Sequence, residues 1–167
     1  MDGNRFDVSG RVVIITGAGQ GIGRDYALAF AAAGAKPVLA EVNGDKLRDV
    51  VSEIEAGGGE AFAIETDVGS PDSVKAMVAA TLKTYGQIDV LINNAGITMP
   101  LMKKKLFYEK ENWAKTIDVN LTANFFCSQE AIKYMIKRKE GSIINITSLN
   151  AELAFPKNPS YIASKGG

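Results

Sequence analysis

The stretch Val12-Val13-Ile14-Ile15-Thr16-Gly17-Ala18-Gly19-Gln20-Gly21-Ile22-Gly23 constrains this chain more than any other, because an apolar β-branched run breaks into glycines and then into a helix-forming segment. That order predicts a strand, a phosphate turn and a helix, the opening of a dinucleotide-binding α/β unit. A pyrophosphate can rest on free backbone N–H groups at a helix N-terminus only where no Cβ blocks the approach. Thr16, Gly17, Gly19, Gln20, Gly21, Ile22 and Gly23 are therefore the residues expected to hold it. The spacing is not G-x-G-x-x-G: counted from Gly17 the sixth position is Ile22, and counted from Gly19 it is Arg24. It fits T-G-x-x-x-G-x-G instead. Glycine clusters also close ordinary hairpins and cap helices, so the rest of the chain has to decide.

Beyond the turn, Ile22, Tyr26, Phe30 and Ala33 recur at helical spacing and predict one buried face, with Gly34 as the left-handed residue that ends the helix. Val38 to Glu41 reads as a second strand, and Pro37, which removes a ladder donor, is expected only at its first position. Leu47, Val50, Val51 and Ile54 mark a helix from Asp45 to Ala56, stopped by Gly57-Gly58-Gly59. Ala61 to Ile64 is a third strand running on to Asp67. Ser70 caps a third helix that starts at Pro71, with Val74, Met77, Val78 and Leu82 on its core face before Gly86. Ile88 to Ile92 is a fourth strand, entering Asn93-Asn94-Ala95-Gly96. Residues 97 to 111 read as a basic loop, after which Trp113, Ile117, Leu121, Phe125 and Phe126 open a long helix reaching Arg138, with Trp113 packed in the core. Ser142 to Ser148 is the fifth strand. Strands alternating with helices, without an internal repeat, predict one α/β domain over residues 1–167. Its expected form is a Rossmann-like, doubly wound parallel sheet covered on both faces, in the strand order 3-2-1-4-5.

Charge and composition narrow the partners. Nineteen basic residues balance nineteen acidic ones among the 167, so no net field recruits nucleic acid or an anionic membrane, and neither is expected as a partner. Lys103-Lys104-Lys105 reads as a solvated loop face. No stretch has the length of a transmembrane helix and the opening Met1-Asp2-Gly3-Asn4-Arg5 lacks a signal peptide's apolar core, so the expected location is the cytoplasm. Cys127 lies in an apolar run in a chain without histidine, which makes it a small core residue rather than a nucleophile. The absence of histidine also excludes a Ser-His-Asp triad and most zinc sites, and no metal is expected.

In doubly wound sheets ligands bind beyond the carboxyl ends of the strands, at the switch point between strands one and four. Those ends carry Thr16-Gly17, Glu41, Asp67-Val68, Asn93 with Ala95 and Gly96, and Ser148. Thirteen residues after Ser148, the run Tyr161-Ile162-Ala163-Ser164-Lys165 sets Tyr161 and Lys165 at i and i+4 on one helix face. An ammonium beside a phenol favours the phenolate, which makes tyrosine usable as an acid and base near neutral pH. Asn120 in mid-helix competes with backbone bonding and suits a local distortion.

With these motifs in order, the chain resembles the short-chain dehydrogenase/reductase family, in the branch that combines TGxxxGxG (Thr16 to Gly23), NNAG (Asn93 to Gly96), Asn120, Ser148 and YxxxK (Tyr161 to Lys165). The resemblance implies that Tyr161 exchanges a proton with the substrate oxygen and that Ser148 hydrogen-bonds the same oxygen. Lys165 would bind the nicotinamide ribose and tune Tyr161, Asn120 would support a water-linked proton relay, Asn93 would lie by the adenosine ribose, and Gly96 would give the cofactor room. The implied reaction is hydride transfer between a nicotinamide cofactor and a secondary alcohol or ketone. Asn-Ala-Gly-Ile-Thr and Val-Asn-Leu-Thr look like 3-oxoacyl-thioester reductases and related sugar or polyol dehydrogenases. Asn150, together with Glu152, could favour a polyol or face solvent. The resemblance further implies a homo-dimer or homo-tetramer for a complete chain.

Glu41 at the end of strand two can accept hydrogen bonds from ribose hydroxyls and would repel a 2′-phosphate, so NAD is expected over NADP; Arg24 and Lys46 are the residues that could reverse this. In the resembled family further strands follow the YxxxK helix. Their absence here leads to the expectation that these 167 residues are not a self-sufficient enzyme, because the apolar fifth strand keeps an unpaired edge. A non-catalytic dinucleotide-binding or interaction fragment is the rival reading.

Overall fold

The computed structural model describes residues 7–99, 108–153 and 158–167; the opening Met1 to Arg5 and the Lys103-Lys104-Lys105 run lie outside them. Five parallel strands, β1 (Val12–Thr16), β2 (Lys36–Glu41), β3 (Phe62–Glu65), β4 (Val90–Asn93) and β5 (Ser142–Asn145), form a single sheet in the order β3-β2-β1-β4-β5, as expected. Its helices are α1 (Gly21–Ala32), α2 (Gly44–Ala56), α3 (Pro71–Tyr85), α4 (Lys110–Ile117), α5 (Ala123–Arg138) and α6 (Pro159–Gly166).

All five residues of β1 are buried, and their alternation divides the core in two. Val12 and Ile14 face a cluster built with Val74, Met77, Cys127 and Ala131, from α3 and α5. Val13 and Ile15 face another built with Ala27, Ala31, Val50 and Ile54, from α1 and α2. Burial on both faces is why the strand reads as a continuous apolar run rather than an alternating one. Cys127 belongs to this core, and burial pushes its thiol pKa up to about 12, which removes it as a nucleophile at physiological pH.

Local chemistry sets the boundaries. Asn43 caps α2 by accepting from the N–H groups of Asp45 (3.0 Å) and Lys46 (3.2 Å), Ser70 caps α3 at Ser73 N–H, and Gly86 closes α3 in the left-handed conformation. Pro37 departs from expectation: β2 begins at Lys36, so the proline is its second residue, buried between strands. It is tolerated because Lys36 N–H donates towards β1, to Arg11 O at 2.8 Å. The missing donor of the next residue therefore points to the other side, where β3 begins pairing only at Val38↔Phe62.

Two helices bury a different face from the one their large apolar residues suggest. In α1 the buried residues are Gly23, Ala27 and Ala31; Tyr26 and Phe30 pack only partly against the core, and Ile22 is 59% exposed. Along α4, α5 and the turn that joins them, Thr116, Asn120, Ala123, Cys127, Ala131 and Met135 lie inside. Trp113 is 43% exposed and Phe125 63%, so the tryptophan is not core packing. Small side chains on the inner stripe let a helix approach the sheet closely, which moves the bulky ones outward.

α4 and α5 are joined without a break by a π-helical turn, Asp118–Thr122, in which Ala123 N–H bonds to Asp118 O. Asn120 sits at its centre, the distortion expected of an asparagine in mid-helix. β5 is shorter than the expected Ser142 to Ser148 and, among the described residues, pairs only with β4; its Ile144 is 44% exposed.

At the amino ends of the strands, Asp89 is buried and accepts from Val12 N–H (2.8 Å), Gln87 Nε2 (2.8 Å) and the Arg138 guanidinium (2.9 Å), with Arg11 3.6 Å away. Burial by itself would raise its pKa, but the Val12 N–H and the two guanidinium groups outweigh it and hold the carboxyl below 3.8. No helix among the described residues is long and apolar enough to cross a membrane.

Candidate active site

The site forms where β1 and β4 end and their connections diverge to opposite faces of the sheet. Thr16 ties the two ends together: its Oγ1 accepts from the N–H groups of Asn94 and Ala95, both at 3.0 Å, and donates to Ile92 O. Asn94 returns the bond, its Nδ2 donating to Thr16 O at 3.0 Å and Gly17 O at 3.3 Å. Gly17 N–H reaches Ala40 O of β2 at 2.7 Å, so the start of the turn is fixed to three strands.

Two glycines make this turn possible. Gly17 has φ +67° and its missing Cβ would lie 2.9 Å from Ala95 Cα, while a Cβ at Gly23 would meet Gly17 O at 2.1 Å. The turn therefore folds tightly onto the start of α1, whose first turn carries no acidic residue and whose N-cap, Gln20, makes no side-chain capping bond. Its N–H groups are left for an anion. Gly23→Ala forces the turn apart, and over-packing of this kind costs about 1–3 kcal/mol. Thermal denaturation is expected to show a melting point lower by several degrees, and an unchanged one contradicts the tight turn.

A cleft of about 630 Å³ opens in front of the turn. The turn lines it with Gly17, Gln20, Gly21, Ile22 and Gly23, β2 with Glu41, the connection after β3 with Asp67 and Val68, and that after β4 with Ala95 and Gly96. Glu41 Oε1 accepts from Val42 and Asn43 N–H (3.0 and 3.3 Å), leaving Oε2 for another donor. Asp67 Oδ1 accepts from Gly69 N–H at 2.9 Å. Gly19 is not on the cleft wall but supports it: a Cβ there would lie 2.7 Å from Glu41 Cγ.

Asn93 is not brought to this cleft. Its side chain turns towards α5 and β5, with Nδ2 donating to Asn145 Oδ1 (2.8 Å), Ser128 Oγ (3.0 Å) and Asn124 O (3.4 Å). The next residue, Asn94, lines the cleft in its place. Strand alternation accounts for the exchange, since neighbouring residues point to opposite faces. Thr66, Ile97, Lys115 and Val119 also line the cleft without having been singled out. Thr66 could have been found as the last buried residue before a strand-end aspartate; Lys115 and Val119 arrive on the helical turn before Asn120 and carry no signal of their own.

At the far end, Gly96 adjoins a second group of polar residues: from its ideal Cβ, Asn120 Oδ1 is 3.5 Å away and Lys165 Nζ 3.8 Å. Lys165 Nζ donates to Ile146 O at 2.7 Å and lies 5.9 Å from the centre of the Tyr161 ring; burial lowers its pKa from 10.5. Asn120 uses its whole amide: Oδ1 accepts from Ile97 N–H (2.8 Å), and Nδ2 donates to Ile97 O (2.9 Å) and Ser164 Oγ (3.0 Å). Ser164 in turn donates to Tyr161 O at 2.8 Å. The π-helical turn, the loop after β4 and the helix carrying Tyr161 are thus one hydrogen-bonded unit. Ser148 Oγ accepts from Asn150 N–H at 3.2 Å as the cap of a short 3-10 turn, Leu149–Ala151, and is not bonded to Tyr161.

Sheet order, glycine turn and cleft define an α/β fold of the Rossmann kind. The family described as short chain dehydrogenase matches residues 11–167, and the chain belongs to it. It is 42% identical over 163 residues to the 3-oxoacyl-[acyl-carrier-protein] reductase of Synechocystis sp., covering 96% of this chain and 64% of that protein. It is 40% identical to an uncharacterized oxidoreductase of Thermotoga maritima, over 96% of this chain and 62% of the other. A 3-oxoacyl-[acyl-carrier-protein] reductase FabG of Staphylococcus epidermidis is 37% identical, over 92% and 63%. The chain thus spans less than two thirds of the length of these curated relatives.

Proposed function

We propose that this chain is the dinucleotide-binding and catalytic portion of a nicotinamide-dependent oxidoreductase that interconverts a secondary alcohol and a ketone. The observation that carries the reading is the continuity across Gly96, with a cradle for a dinucleotide on one side and Tyr161, Lys165 and Asn120 on the other. The cradle suits a pyrophosphate because glycine at 17 and 23 lets the turn close onto the start of α1, where the N–H groups meet no capping side chain and no acidic residue. When bound, the nicotinamide supplies the hydride chemistry. The chain's own residues orient it and manage the proton. Tyr161 Oη gives a proton to, or takes one from, the substrate oxygen. Ser148 Oγ donates a hydrogen bond to that oxygen, with Asn150 beside it on the substrate side. Lys165 holds the nicotinamide ribose and its positive charge supports Tyr161, and Asn120 fixes the helix on which both stand and offers the route for a water-linked relay.

The substrate class favoured is a 3-oxoacyl thioester, supported by the names of two relatives; a sugar or polyol is the second candidate. Cytoplasmic location and assembly as a homo-dimer or homo-tetramer belong to the same reading. Adding 3-oxoacyl thioesters and polyols in turn to the full protein with each cofactor tests it, and turnover of neither substrate class contradicts it.

The cofactor proposed is NAD(H) ahead of NADP(H). Glu41 Oε2 is free to accept from a ribose hydroxyl, and Arg24 is committed to Glu53 and Asp25. In parallel calorimetric titrations NAD+ is expected to bind more tightly than NADP+, and Glu41→Ala to narrow the difference. Tighter binding of NADP+ by the unmodified chain overturns the assignment.

A further inference from the structure

Glu41 is not the only charged group at the β2 end of the cleft. Lys46, three residues into α2, lines the same wall, and its stem flanks the same glycine. A Cβ at Gly19 would lie 2.7 Å from Glu41 Cγ and 2.9 Å from Lys46 Cβ. A cation in the first turn of a helix is opposed by the helix dipole. Lys46 nevertheless stays half buried, its ammonium turned back across the cleft mouth to Gln20 Oε1. Gln20 is the N-cap of α1 and has no capping bond of its own.

The nearby guanidinium groups are committed elsewhere. Arg24 pairs with Glu53 and Asp25, and Arg48 with Asp45. Lys46 is held by a neutral amide rather than a carboxylate, so an anion of higher charge can take it over, because hydrogen bonds between two ions are stronger than those to an amide.

We propose that Lys46 is a specificity-determining residue for the adenosine ribose: it offers a cation at the β2 end of the cleft to a 2′-phosphate and so offsets the repulsion from Glu41. The inference rests on the dinucleotide reading above. It makes the preference for NAD(H) a balance between two side chains rather than a property of Glu41 alone.

Adenosine 2′,5′-bisphosphate and 5′-AMP differ only in the group in question, and their dissociation constants can be read by calorimetry without turnover. Lys46→Met is expected to weaken the bisphosphate about tenfold at low salt while changing 5′-AMP less than twofold, and Lys46→Arg to keep both, since a single charge-assisted bond is worth on the order of one decade in affinity. The loss should shrink as salt is raised. Equal weakening of the two nucleotides by Lys46→Met, or no weakening of the bisphosphate, overturns the role of Lys46 and leaves the dinucleotide reading standing. Failure of the unmodified protein to bind 5′-AMP and NAD+ overturns that reading, and this inference with it.

Discussion

Tyr161→Phe is expected to lower turnover of the active protein by roughly a hundredfold to ten-thousandfold, the usual contribution of a positioned acid or base, while cofactor affinity changes little. Only the hydroxyl is removed. The ring remains beside Lys165 Nζ, 5.9 Å from its centre, and the lysine keeps its bond to Ile146 O. Helix α6 is held independently of the phenol, through Ser164 to Asn120 and through Ser160 Oγ, 2.6 Å from Tyr108 Oη. Loss of turnover with unchanged cofactor binding therefore isolates proton transfer. Steady-state rates together with a nucleotide titration check both halves, and a near-normal rate in Tyr161→Phe rules out the assignment.

Asp89→Ala is expected to cost about 2–4 kcal/mol of stability, since it strands the Val12 N–H, deprives Arg138 of its nearest carboxylate and leaves a buried void. Denaturant unfolding measures it. The same carboxylate predicts a pH dependence. Its folded pKa is held below 3.8, so its contribution is fully present above the unfolded value near 3.9 and is lost as the pH falls through the folded one. The difference between the unmodified protein and Asp89→Ala should thus be constant from neutrality to about pH 5 and shrink below about pH 4. A difference that grows on acidification contradicts this account.

Some features were legible because one physical cause produces them locally. β1 needs burial on both faces, and its uninterrupted Val and Ile run states that directly; Gly17 and Gly23 are required by close approach; Ser70-Pro71 and Gly86 start and stop α3 by capping chemistry alone. Parallel order follows from strands separated by helices, and with it the place of the cleft. Tyr161 and Lys165 needed only the helical period to share a face.

Other features depend on what lies across the contact. Helical periodicity finds large apolar side chains, yet in α1 and the long α4–α5 segment the inner stripe is mostly Gly, Ala, Thr and Asn, joined by Cys127 and Met135, with Ile22, Trp113 and Phe125 outside. The sequence shows both stripes, and only the distance between helix and sheet selects one. Asn93 and Asn94 are alike in composition, and which of them meets the cleft is decided by strand alternation. The Lys46 to Gln20 contact joins α2 to the residue that precedes α1, and no local pattern signals it.

Amide NMR of the isotopically labelled protein during titration with NAD+ tests the central claim most directly. The account predicts that the largest shift changes fall on Gly17 to Gly23, on Asp67 and Val68, and on Ala95 to Ile97, with smaller ones at Lys165. Shift changes confined to other surfaces, or none at saturating NAD+, would contradict it.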